Sequence, residues 1–154
     1  MSCDSCEIKS LLYQYADFLD SGDLKSVAAM FSHARIIGVA NDGSEAVREG
    51  SDEVLAMYQS FTRLYEDKNG GAATPRTKHM TSNVIVDVDA DGNTASTKAY
   101  AVVFQSLEDF PMQPIIGVRY YDRFARVDGK WRFSERKIVS DLFGDLSRHL
   151  LQAM

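Results

Sequence analysis

Cysteine, proline and tryptophan are scarce in this chain of 154 residues: two, three and one respectively. Both cysteines, Cys3 and Cys6, stand near the start, so a disulfide-dense scaffold is excluded. A zinc site would need two more ligands, and a thioredoxin-like Cys-x-x-Cys would follow a strand, so two reduced thiols near a fraying end are expected. No apolar run approaches the ~18 residues of a spanning helix. Positive charge is also short, with 17 Lys and Arg against 22 Asp and Glu. A net charge of −5 runs against the cationic footprint that nucleic acid or an anionic membrane surface demands. The first residues carry neither a basic nor an apolar leader region, so a cytoplasmic protein is expected. Phosphate-binding glycine loops, dinucleotide fingerprints and nucleophile elbows are missing. The three histidines, His33, His79 and His149, are isolated from one another and from cysteine. Chemistry without metal or cofactor, or none at all, is the expectation.

The pattern that is present changes period once. A chain of this size buries roughly 68–70% of its unfolded surface, enough for one core, and a single domain over residues 1–154 is expected. Ile8, Leu11, Leu12, Tyr15 and Leu19 recur at helical spacing, with Asp4 and Glu7 set as a capping box. Ser21-Gly22-Asp23 supplies a stop and a new cap, and Leu24, Val27, Ala28 and Phe31 give a second helix its buried side. Residues 34–40 read as a strand closed by the turn Asn41-Asp42-Gly43. Ser51 is placed to cap a third helix carrying Val54, Leu55, Tyr58, Phe61 and Tyr65, which ends in the loose loop 69–75. From Thr77 the period is two, predicting strands near 78–89, 94–106, 114–127 and 130–139, with hairpin turns at Asp91-Gly92 and Asp128-Gly129. Residues 142–154 read as a terminal helix or a docked tail. Helices followed by an antiparallel meander give an α+β fold, a curved sheet with the helices packed on its concave face around an internal pocket.

His79 opens the strand that follows the loop. Strict alternation places it with Thr81 and Asn83, opposite Val84, Val86 and Val88. Asp20 lies in the last turn of the first helix, where the helix dipole disfavours a carboxylate by some ~0.3–1 kcal/mol, so a nearby cation would help it. Tyr15 lies on the buried stripe, where a phenol needs a hydrogen-bond partner. Each also has an ordinary reading: a strand-end histidine, a solvated aspartate, a core tyrosine. Arg119, Asp122, Arg123, Arg126, Glu135, Arg136 and Lys137 read as cross-strand ion pairs. Asp145 to His149 reads as a helical turn or tail contact.

Tyr15-Ala16-Asp17-Phe18-Leu19-Asp20-Ser21-Gly22-Asp23, the Lys78-His79-Met80 segment, and the run from Val118 through Asp128-Gly129-Lys130-Trp131-Arg132-Phe133 resemble the nuclear transport factor 2-like superfamily, in its SnoaL-like branch. The resemblance covers nearly the whole chain and implies a cone-shaped α+β barrel with an internal pocket. Scytalone dehydratase, hexachlorocyclohexane dehydrochlorinase and bile acid dehydratase in that superfamily use an aspartate–histidine dyad, and Asp20 and His79 stand at the matching positions. Tyr15 matches a tyrosine of bile acid dehydratase, whereas the late arginine of that enzyme aligns with Ser140. The resemblance implies a cofactor-independent, dehydratase-like lyase or isomerase with His79 as base, Asp20 as its partner and Tyr15 as hydrogen-bond donor. It would act on a small apolar organic molecule, as a homodimer or homotrimer. The alternative is a non-catalytic ligand-binding or structural module, such as an oxygenase small subunit.

Overall fold

The computed structural model describes residues 3–153. Helix α1 (Asp4–Asp20) buries Ile8, Leu12, Tyr15 and Leu19 of the stripe its spacing predicts, together with Ala16, while Leu11 is partly buried against the same core. Its N-cap is Cys3, whose Sγ accepts from the Cys6 N–H, and Cys3 and Cys6 are joined in a disulfide, not left as reduced thiols. Asp4 therefore does not cap the helix. Its carboxylate instead accepts from Arg126 Nη2 at 2.6 Å and Trp131 Nε1 at 3.1 Å, and these partners hold its pKa below the usual carboxylate range. At the other end Asp23 N–H reaches Phe18 O, and Gly22 turns the chain at φ +76°. A Cβ at Gly22 would stand 2.1 Å from Ala73 O, so both conformation and close approach call for glycine. Asp23 then caps α2 (Leu24–Ala29) through the Ser26 N–H.

Strands β1 (Arg35–Val39) and β2 (Glu45–Glu49) form a hairpin. Residues 45–49 lack an apolar face and lie largely exposed, which is why alternation does not reveal this edge strand. Helix α3 (Gly50–Phe61) begins before Ser51, and Glu53 Oε2 accepts the Glu49 N–H at its start. The helix stops at Phe61. Tyr65, expected on it, pairs in a short bridge with Thr74.

Strands β3 (Thr77–Val88), β4 (Thr94–Leu107), β5 (Phe110–Val127) and β6 (Lys130–Phe143) complete one six-stranded sheet in the order β2-β1-β6-β5-β4-β3. β1 runs parallel to β6, and every other pairing is antiparallel. Asp128 and Gly129 both take positive φ in the β5–β6 hairpin, as that turn requires. β5 begins earlier than expected because only Glu108 and Asp109 separate it from β4. The β6 strand runs on to Phe143, past its expected end at 139, so residues 142–143 are sheet rather than tail, and the segment beyond is docked as an irregular turn.

Two bulges decide which side chains face the helices. The β3–β4 register breaks between Ser82 and Ile85, where Asn83 adopts φ 55°. One extra residue reverses the alternation, so His79 and Thr81 share the inward face with Val84, Val86 and Val88. The β5–β6 register skips Ser134, since Phe124 faces Phe133 and Arg123 faces Glu135. Beyond it the inward positions become Arg136 and Ile138. The main core fills the space between the α1 stripe and the inward faces of β4, β5 and β6. A smaller cluster of Val103, Phe110 and Ile115 lies at the other end of the sheet, with Leu146 packed against it.

Candidate active site

The end of α1 and the start of β3 meet at one carboxylate. Asp20 Oδ1 lies 2.6 Å from His79 Nδ1 and accepts the Thr77 hydroxyl at 2.8 Å, while Oδ2 accepts the His79 backbone N–H at 2.8 Å. The side chains of His79 and Asp20 are 9% and 20% exposed, so the pair sits largely out of water yet within reach of it. Burial raises the Asp20 pKa, but the His79 side chain, its backbone N–H and the Thr77 hydroxyl outweigh it and leave the carboxyl below its ordinary value. An ionised carboxylate against Nδ1 fixes the proton on that nitrogen, so Nε2 is left as the basic lone pair. The arrangement can take one proton and stabilise the imidazolium that results.

Tyr15 is not drawn to this pair. Five residues before Asp20 it faces another side of α1, buried among Phe31, Tyr58 and Tyr120, with its hydroxyl bonded to that of Tyr58. Burial pushes the Tyr15 and Tyr58 phenols up, Tyr58 well above its ordinary value. Beneath them lies Arg136, which is fully buried. Its Nε and Nη2 bond the two oxygens of Asp122 at 2.8 Å each, and its guanidinium lies 4.2 Å from the Tyr15 ring centre and 3.8 Å from that of Tyr120. Burial works against the Arg136 charge, but Asp122 and the two phenols overcome it and raise the pKa. Asp122 also accepts from Thr97 at 3.2 Å. The cross-strand pair expected of Arg136 is thus present but lies in the core, turned inward by the bulge at Ser134. The sequence places Tyr58 on the apolar spacing of α3 but marks neither its hydroxyl nor Arg136 as an interior polar group. The one hint of Tyr58 is that a buried Tyr15 phenol needs a hydrogen-bond partner.

The opening nearest the dyad is a groove of about 590 Å³ with Asp20, Thr77, Gln105 and Phe104 in its walls. It reaches the carboxylate from the sheet end, and the His79 ring is not among its lining groups. Among the described residues no three His, Cys, Asp or Glu side chains come together to hold a metal ion, and no helix is long and apolar enough to cross a membrane.

The profile of the SnoaL-like domain matches residues 1–137. This chain belongs to the SnoaL-like family. Its structure is similar to an NTF2-like protein with a cystatin-like fold from Novosphingobium aromaticivorans, at 20% identity and a TM-score of 0.69 over 94% of this chain and 86% of that one. A candidate scytalone dehydratase from the same organism is 20% identical, with a TM-score of 0.68 over 92% and 87% of the two chains. The β subunit of a candidate aromatic-ring-hydroxylating dioxygenase, also from that organism, is 17% identical, with a TM-score of 0.69 over 90% of each chain. No curated protein sequence matches the chain. At these identities the SnoaL-like likeness settles the curved, cystatin-like sheet, and the chemistry must be argued from the side chains.

Proposed function

We propose that this SnoaL-like protein is a cofactor-independent lyase or isomerase of the dehydratase kind, acting on a small apolar molecule through His79 and Asp20. The observation that carries the reading is the 2.6 Å contact between His79 Nδ1 and a carboxylate held by two further donors. A carboxylate with only a structural task would be satisfied by the Thr77 hydroxyl and a backbone N–H. Placing an imidazole on it as well creates a base whose tautomer is fixed and whose charged form is stabilised.

In the proposed reaction His79 Nε2 takes a proton from carbon beside an activating group. The electron pair left behind forms a double bond. It either expels a leaving group from the neighbouring carbon, which departs with the proton the imidazolium returns, or shifts an existing double bond, whose far carbon then takes that proton back. Asp20 remains ionised and offsets the new positive charge. Tyr15, with its hydroxyl shared with Tyr58 and its ring over Arg136, is the proposed donor toward negative charge that develops on the substrate. A positioned base of this kind contributes ~10²–10⁴ in rate. On hydroxy- or halo-substituted ring substrates, His79→Ala should lose turnover by that order, and Asp20→Asn should lose most of it while retaining the fold. Full turnover in both variants would overturn the reading. It would favour the alternative, a binding or structural module, for which the similar dioxygenase β subunit is the natural comparison.

A further inference from the structure

The dyad leaves the Cys-x-x-Cys at the tip of α1 unused. Cys3 and Cys6 are bridged there, both exposed, with Asp4 and Ser5 between them. A bridge across two residues constrains an unfolded chain less than one that closes a long loop. Nor is this bridge needed to hold the helix down. Asp4, inside it, accepts from Arg126 Nη2 at 2.6 Å and from Nε1 of the buried Trp131 at 3.1 Å. Arg126 is held in turn by Gly92 O at 3.2 Å, and its guanidinium lies 4.6 Å from the Trp131 ring centre. The mooring of α1 to the sheet is complete without the sulfur–sulfur bond.

The bridge instead has the setting of exchange chemistry. Cys3 stands at the N-cap, and its Sγ accepts the Cys6 N–H at 3.2 Å. Once the bridge opens, negative charge on Cys3 Sγ faces that N–H and the positive end of the helix dipole, and both favour thiolate over thiol. Of the two first-turn acids, Asp4 and Glu7, the one inside the bridge is ion-paired with Arg126, so its opposing charge is offset. Cys6 Sγ receives no N–H donor among the described residues, since its own backbone N–H is the one given to Cys3. The two sulfurs are therefore unequal, and this sets the order of attack.

We infer that Cys3 and Cys6 are a redox-active pair that exchanges its disulfide with low-molecular-weight thiols, Cys3 being the sulfur that meets the partner. In the oxidising direction the Cys3 thiolate attacks one sulfur of the partner disulfide, forming a mixed disulfide and expelling the first partner thiolate. The Cys6 thiolate then attacks Cys3 Sγ, closing the bridge and expelling the second. The pair gives up two electrons and two protons, which leave on two partner thiols, and reduction runs the same steps backwards. The inference uses no property of Asp20 or His79, so it stands or falls apart from the lyase reading.

Glutathione serves as the probe. The full chain is equilibrated at pH 7 with mixtures of its reduced and oxidised forms, alkylated with N-ethylmaleimide and weighed. It should pass from bridged to doubly alkylated within those mixtures, and the reduced chain should keep a cooperative urea transition. A bridge that survives every mixture, or whose loss unfolds the chain, is a structural brace and overturns the inference. A chain that never closes the bridge in oxidised glutathione holds two ordinary thiols and overturns it as well. Trapping fixes the order of the sulfurs. With oxidised glutathione, Cys6→Ser should gain an adduct on Cys3 about tenfold faster than Cys3→Ser gains one on Cys6. Equal or reversed rates overturn Cys3 as the contacting sulfur. Serine is itself a good N-cap, so Cys3→Ser should keep the helix, and the wild-type titration needs neither variant.

Discussion

The Asp20–His79 pair and the Arg136–Asp122 pair lie on the inward face of the same sheet, yet only one can change its charge. Arg136 and Asp122 are wholly out of water, joined by two parallel hydrogen bonds, with aromatic rings over the guanidinium. Neither partner can release the other without stranding a charge in the core. At the dyad the cation is an imidazole, the carboxylate has two other donors, and both groups retain some exposure. Asp20 therefore stays satisfied whichever way the His79 proton goes. The contrast separates a pair suited to holding shape from one suited to proton transfer, although the bare list of charged residues looks alike for both.

Breaking the contrast at its rigid end should have the largest effect. Arg136→Met leaves Asp122 buried and alone, and should cost about 3–5 kcal/mol of stability in urea unfolding. The double variant Arg136→Met with Asp122→Leu should recover most of that loss. A comparable loss in the double variant would mean that the aromatic packing on the guanidinium, and not the ion pair, carries the stability.

A smaller effect is expected in the segment after β6, which docks through backbone bonds to Ile115, Arg63 and Phe61, and it depends on pH. His149 titrates near 4 in place against an ordinary 6.5, so between those values the opened segment binds a proton that the closed one does not. Closure is therefore strongest above pH 6.5 and weakens as the pH falls toward 4. Burial is the main cause of the lowered value, His79 adds to it and Asp20 opposes it. Protection of the Leu151 amide against hydrogen exchange should fall between about pH 7 and pH 5, by no more than the free energy of local opening. His149→Gln should abolish the fall.

The smallest of these effects should appear at the bulge in β3. Asn83→Val places a β-branched residue at φ 55° and should cost about 1–2 kcal/mol, whereas Asn83→Gly should be close to neutral. A neutral valine would show that the strand can realign, in which case His79 would no longer share a face with Val84.

The helical stripes, the Asp128-Gly129 hairpin and the helix stop at Gly22 are legible because each depends on residues adjacent in the chain. The placement of Asp20 and His79 is legible through the resemblance of the segments around them to SnoaL-like proteins. What escapes is set by contacts remote in sequence. Alternation through Ser82-Asn83-Val84 carries no mark of the extra residue, so His79 is assigned to the face opposite Val84 although the two share one. The same fault at Ser134 hides that the cross-strand pair of Arg136 turns inward, because no local feature says that Asp122 meets it inside the sheet. Strand β2 has no apolar face to announce it, and the docking of the segment after β6 rests on backbone bonds to Ile115, Arg63 and Phe61 that no local pattern marks.

Helix α1 is pinned at both tips by acids. Asp4 is moored to Arg126 and Trp131, and sixteen residues on, roughly 24 Å along the axis, Asp20 is moored to Thr77 and His79. Both acids have lowered pKa values, so the two moorings outlast ordinary carboxylates as a solution is acidified. A beam anchored this way cannot pivot about either tip, and Tyr15, carried along its span, keeps its height above the guanidinium whatever the proton on the imidazole does.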